Sequence, residues 1–237
     1  MTLAPATPDV PATSAEAPAW RLLIVNPNSN PAVSALLRDV AGRVLPPGAT
    51  ARIVSPAQSP LSIETPAHRA LAEPLALNLL AAHPGFDAYV MACFDDIALE
   101  EGRRLLRAPV IGAVEAAVAV ARRSADRFAV VTTVETAIPG IRRVLDGLGA
   151  GRRCAVHAAG IGVASAANGS HAADRRLDAA IAHARDAGRA GAIILGSAGL
   201  AGRAAELEAR HGLPVIDAME AAIRLALVSA QSAGHRA

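Results

Sequence analysis

The chain has 237 residues, 52% hydrophobic and 19% charged, with a mean hydropathy of +0.33, so it carries enough apolar material for a packed core and is not a disordered tail. Its 23 basic and 21 acidic residues nearly cancel and aromatics make up only 2%, which excludes an electrostatic nucleic-acid binder and an aromatic stacking platform. Every basic residue is arginine, so neither a Schiff-base lysine nor a P-loop lysine is present.

Residues 1–20, rich in Pro, Ala, Ser and Thr, read as a flexible extension without the basic and apolar regions of a signal peptide. From Arg21 the pattern changes. RLLIVN is a buried parallel strand that stops at the turn Asn26-Pro27-Asn28-Ser29. Residues 31–45 read as a helix ended by Pro46-Pro47-Gly48. ARIVSPA (51–57) is a second strand, and 65–82 a helix that Pro74 should kink or split. DAYVMAC (87–93) is a third strand, 97–106 a helix, and PVIGA (109–113) a fourth strand running into the helix 115–123.

The order then starts again. RFAVVTT (127–133), RCAVHAA (153–159), AGAIILGSAG (190–199) and LPVIDA (213–218) read as strands, separated by helices at 139–148, 173–187 and 201–211 and closed by a helix at 219–230. Strands alternating with helices predict an α/β fold with parallel sheets. Arg21–Val25 answers Arg127–Val131, Tyr89–Cys93 answers Ile193–Ser197, and Pro109–Ala117 answers Pro214–Ala222. The offsets, roughly 104 to 106 residues, mark one unit occurring twice. The expectation is two pseudo-symmetric, flavodoxin-like units, 21–114 plus 215–237 and 115–214, with a site in the cleft between them.

Ligands of open α/β sheets sit beyond the carboxyl ends of the strands. Those ends carry Asn26 and Asn28, Cys93-Phe94-Asp95, Thr132-Thr133, and Gly196-Ser197-Ala198-Gly199. Cys93 and Ser197 hold equivalent places, so two facing units put them on opposite walls, as inversion at a carbon centre requires. Cys93 suits the base role, because a thiol beside a helix N-terminus is acidified, although Asp95 and Asp96 oppose a thiolate. Those two aspartates also suit capping of a helix starting near Ile97. Asn26 could orient substrate or cap the next helix; capping is the weightier role for Asn28. Thr132 and Thr133 could donate to a substrate oxygen or simply favour a strand. Gly196 and Gly199 let backbone N–H groups approach a ligand.

Elsewhere the chemistry is sparse. Cys154 starts a strand, the wrong end for a site, and reads as structural. Gly160-Ile161-Gly162 lacks the rest of a dinucleotide fingerprint. The arginine pairs 103–104, 122–123, 142–143 and 152–153 read as solvated faces. Two cysteines and seven scattered histidines offer neither a disulfide framework nor a metal site, and no apolar run reaches the ~18 residues of a membrane span. A cytoplasmic protein is expected.

These motifs together, Asn26–Ser29, ACFDD at 92–96, PVIGAVEAA, VVTT at 130–133, ILGSAGLA at 194–201 and PVIDAMEAA, resemble the aspartate/glutamate racemase superfamily, specifically its hydantoin/allantoin racemase branch, over nearly all of 21–230. The resemblance implies a pseudo-symmetric two-domain α/β fold, no metal or organic cofactor, two catalytic cysteines flanking the substrate carbon, and often a homo-oligomer. The chain departs at one point: the family's Gly-Cys-Ala-Gly reads Gly196-Ser197-Ala198-Gly199 here. A serine hydroxyl is a poor proton carrier near neutral pH. An engineered exchange, a natural one-thiol relative, and a chain that binds without catalysis all remain open. The leading expectation is a racemase of a hydantoin- or allantoin-like small molecule. The alternatives are a one-thiol decarboxylase or cis–trans isomerase of a small dicarboxylate, and a non-catalytic ligand-binding protein.

Overall fold

A computed structural model describes residues 20–234. The extension expected over 1–20 therefore lies outside the described residues except for Trp20, which opens the first strand. The first sheet contains β1 (Trp20–Val25), β2 (Ala49–Val54), β3 (Ala88–Met91) and β4 (Val110–Gly112), all parallel, in the order β2-β1-β3-β4. The second contains β5 (Phe128–Thr132), β6 (Cys154–Ala158), β7 (Ile193–Leu195) and β8 (Val215–Asp217), again parallel, in the order β6-β5-β7-β8. The repeat extends to the register: Val25 faces Met91 in one sheet as Val131 faces Leu195 in the other.

Helices connect the strands: α1 (Pro31–Val44), α2 (Pro66–Ala82), α3 (Leu99–Leu105) and α4 (Ala113–Ser124) in the first half, then α5 (Ile138–Gly147), α6 (Val163–Asn168), α7 (His171–Asp186), α8 (Ala204–His211) and α9 (Ala218–Gly234). The starts of α1 and α2 are written locally. Asn30 and Thr65 cap them with side-chain oxygens, and Pro31 and Pro66 follow at the first helical position, where a missing N–H costs nothing. Pro74 does not split α2. It sits on the exposed face, and so does Ala70, whose carbonyl loses its partner on the side of the helix that meets water.

Alternation along the strands divides the core into three. Leu23, Val25, Tyr89 and Met91 pack outward under α2, and Ala129, Val131, Ile193 and Leu195 outward under α7. Leu22, Ile24, Val90, Phe128, Val130 and Ile194 point the other way, into one core shared by both sheets with α4 and α9. The closing helices cross over: α4 packs against β7 and β8, and α9 against β1, β3 and α1. Strand 215–217, grouped with the first unit on its likeness to PVIGA, hydrogen-bonds to β7 instead and edges the second sheet. Its apolar residues find the same neighbour within their own unit that β4 finds in β3; only α9 returns to the first sheet.

Candidate active site

The carboxyl ends of β3, β5 and β7 open onto a cavity of about 220 Å³. That is below the ~300–1,000 Å³ of pockets for drug-sized ligands, so its occupant is small. Cys93, Phe94, Asp95, Thr132, Thr133, Gly196, Ser197 and Ala198 all border it. Asn26 and Gly199 do not. Asn26 is fully buried, donating to Asn28 Oδ1 at 3.1 Å and Ser34 Oγ at 3.0 Å, so it positions the turn. Asn28 is the residue that reaches the cavity, with its Oδ1 engaged by Asn30 N and Asn26. Gly199 is needed for packing, since a Cβ there would stand 2.8 Å from the Val163 carbonyl oxygen.

The two ends of the repeat present their side chains in the same way. Ser197 Oγ accepts from the Gly199 N–H, two residues on, at 3.2 Å. The Cys93 sulfur takes the corresponding backbone bond from Asp95. In neither loop does the next N–H, that of Phe94 or Ala198, donate to another described residue, and both residues border the cavity. Phe94 also spans the two units: its ring lies 3.2 Å from where a Cβ on Gly196 would be. Thr132 spends its hydroxyl on the Gly196 carbonyl at 2.9 Å, holding β5 to β7 below the cavity. Thr133, also a buried residue of the cavity lining, makes no such side-chain hydrogen bond among the described residues.

The helix expected from Ile97 is present and starts two residues later. The chain turns tightly through Asp96 (φ +43°) and Ala98 (φ +60°), and α3 starts only at Leu99. The thiol is nevertheless not acidified. Burial and then the Asp95 carboxylate push its pKa well above the ordinary thiol value, opposed by the Arg69 guanidinium. The two aspartates do not cap α3 either. Asp95 pairs with Arg69, and Asp96 accepts from Val114 N at 3.0 Å, capping α4. The Ala98 N–H that precedes α3 goes to Glu73 Oε1 at 3.1 Å. Cys154 lies outside the cavity lining, buried at the start of the edge strand β6, with its thiol pushed up to about 12 by burial.

Other parts of the cavity had no motif to announce them. Arg69 comes from α2 and also holds the Asp95 carbonyl at 3.0 Å. Glu64, from the loop after β2, reaches across the units to the Val163 N–H at 2.9 Å. Thr136 returns a hydrogen bond to the Glu64 carbonyl, so these contacts close one rim. Arg143, one of the arginines read as solvated, is exposed but borders the cavity; its neighbour Arg142 does not. Among the described residues no cluster of side chains suits a metal, and no helix is long and apolar enough to cross a membrane.

Fold and cavity define a duplicated α/β protein with a small-ligand site between its two halves. The model of the Asp/Glu/hydantoin racemase family matches residues 22–226. A hydantoin racemase of Rhizobium meliloti is 35% identical over 206 residues, 86% of each chain. That of Paenarthrobacter aurescens is 33% identical over 211 residues, 87% of this chain and 89% of its own. The structure of an allantoin racemase from Klebsiella pneumoniae superposes with a TM-score of 0.86 at 32% identity, covering 91% of this chain and 89% of that one. The chain belongs to the Asp/Glu/hydantoin racemase family and is a racemase.

Proposed function

We propose that the chain is a cofactor-independent racemase of a hydantoin- or allantoin-like ring, with Cys93 as acid/base on one wall and Ser197 on the other. The observation that carries this reading is that the ends of the two equivalent strands, Cys93 after β3 and Ser197 after β7, border one small cavity. The Cys93 thiolate takes the proton from the ring carbon next to a carbonyl. The Phe94 and Ala198 N–H groups receive the oxygen of the resulting enolate, where hydrogen-bond donors fixed in advance lower the barrier. Return of the proton from the opposite face inverts the centre. Ser197, a weak acid, makes that return the slow step. A homo-oligomeric, cytoplasmic enzyme belongs to the same reading.

The test uses one enantiomer of a 5-substituted hydantoin in deuterated water. Protein-dependent deuterium uptake at the ring carbon, abolished by Cys93→Ala, is the expected result. Uptake no faster than in buffer, or unaffected by Cys93→Ala, overturns the reading.

A second reading has specific support. A single thiol, together with Arg143, a cavity arginine without an ion pair among the described residues, suits a one-thiol decarboxylase of a small dicarboxylate. Release of carbon dioxide from a substituted malonate, without proton exchange in hydantoins, would select it.

A further inference from the structure

Four charged side chains border the cavity: Glu64, Arg69, Asp95 and Arg143. Three are committed within the protein. Glu64 accepts from the Val163 N–H at 2.9 Å, and Arg69 and Asp95 hold each other, with Glu73 3.6 Å from the same guanidinium. Arg143 differs: among the described residues it has neither an ion pair nor a hydrogen bond. It is felt by Asp95 only through space, and that carboxylate is already taken by Arg69. Its placement is not accidental to the helix. Pro139, Gly140 and Arg143 of α5 all border the cavity, and positions 139 and 143 are four residues apart, which puts them on one helical face.

We propose that Arg143 is a specificity-determining residue that binds an acceptor oxygen on the substituent of the substrate's ring carbon. The inference rests on the hydantoin-type reading above. With the reacting carbon between Cys93 and Ser197, the ring lies at the strand ends and its substituent extends towards α5 and the rim. An alkyl substituent finds Ile63, Val134 and Pro139 there and leaves the guanidinium in water. A substituent that ends in a ureido carbonyl or a carboxylate gains a charge-assisted hydrogen bond, to a planar fork whose geometry matches either group. Because Arg143 is exposed, engaging it requires no prior break of an internal pair.

Calorimetric titrations test this with three compounds: allantoin, which carries a ureido group; hydantoin-5-acetic acid, which carries a carboxylate; and 5-methylhydantoin, which carries neither. Each is titrated into the chain as given, into Arg143→Ala and into Arg143→Gln, and ring-proton exchange is followed in parallel. Arg143→Ala is expected to weaken the first two by about tenfold or more relative to 5-methylhydantoin. Glutamine keeps an N–H donor and loses the charge. If the preferred oxygen is a ureido carbonyl, Arg143→Gln recovers most of the binding; if it is a carboxylate, Arg143→Gln binds no better than Arg143→Ala. Equal losses for all three compounds, or loss for none, overturns the assignment. The titrations decide Arg143 even when no ring proton exchanges, so a failure of the racemase reading is seen separately. Absence of binding by all three overturns both.

Discussion

Asp96 and Asp217 make the same tie from opposite sides of the repeat. In the first half the Asp96 carboxylate, in the loop after β3, reaches the N-terminus of α4 at Val114 N. In the second half the carboxylate comes from the end of β8: Asp217 accepts from Met219 N and Glu220 N of α9 and from Gly202 N in the loop after β7. The exchange accounts for the one mismatch in the PVI-x-A repeat. A Cβ on Gly112, the counterpart of Asp217, would stand 2.6 Å from Asp96 Oδ1. Each half places one aspartate at this junction, and the other position gives way.

Burial raises the Asp96 carboxyl to about 7, ahead of the lowering influence of the Val114 N–H. An acid whose pKa is higher folded than unfolded favours the native state while it is protonated. That contribution is full below the unfolded value near 4 and is lost as pH rises to about 7. Asp96→Asn keeps the acceptor oxygen without the charge. Denaturant unfolding should therefore show a flatter stability profile between about pH 4 and 7, and a variant no less stable than the parent at pH 8. A variant that loses stability mainly at pH 8 would show that the charged cap outweighs its desolvation.

The repeat was legible because strands record their neighbours in residue type. Leu22 to Val25 and Ala129 to Val131 are buried on both faces, so each copy reads as a short apolar run, and the offsets survive into the register. The cavity was legible only where it is built from strand ends. Arg69, Glu64 and Arg143 sit on a helix face, in a loop and on another helix face, and nothing local separates them from solvated charges; the tertiary fold alone brings them together. The helix after Cys93 was legible but its start was not: the chain places Asp96 and Ala98 in the left-handed region, which alanine rarely adopts, so α3 begins at Leu99 and not at Ile97. Residues 163–168, short and made of Ala, Ser, Val and Asn, have no period to reveal a helix.

The reactivity of Cys93 should depend on Asp95. Asp95→Asn removes the charge that opposes the thiolate and frees the guanidinium that favours it, so the thiol pKa falls. Each unit of that fall gives about tenfold more thiolate at a pH below the pKa. Alkylation by iodoacetamide at pH 8, read by mass spectrometry at Cys93, should be faster in Asp95→Asn and slower in Arg69→Gln. The same order for both variants would separate the thiol from this ion pair.

Gly196 is packed tightly beside the site, between β5 of its own half and Phe94 of the other. A methyl group there meets Val130 Cγ1 on β5 and the Phe94 ring. Gly196→Ala should cost about 1–3 kcal/mol in denaturant unfolding, the range for overpacking a core. Because Phe94 follows Cys93 and Gly196 precedes Ser197, proton exchange in the folded variant should fall as well. Unchanged stability would mean that Phe94 yields without cost.

Ser197 sets the balance between exchange and inversion. Its hydroxyl and the Cys93 sulfur each accept the backbone N–H two residues on, so a thiol at position 197 can be held as the first one is. In the chain as given, Cys93 removes and returns the proton on one face, and deuterium should enter one enantiomer faster than optical rotation decays. Ser197→Cys should raise racemisation by about 10²- to 10⁴-fold, the range for a positioned general acid. The reciprocal chain, Cys93→Ser with Ser197→Cys, moves the only thiol of the cavity to the opposite wall and should exchange the opposite enantiomer. Thermal melting establishes that each variant is folded. Equal rates of uptake and rotation loss in the unmodified chain would mean that Ser197 already delivers the second proton. A reciprocal chain that kept the original enantiomer preference would show that the face attacked is chosen by how the ring is held, and not by which wall carries the thiol.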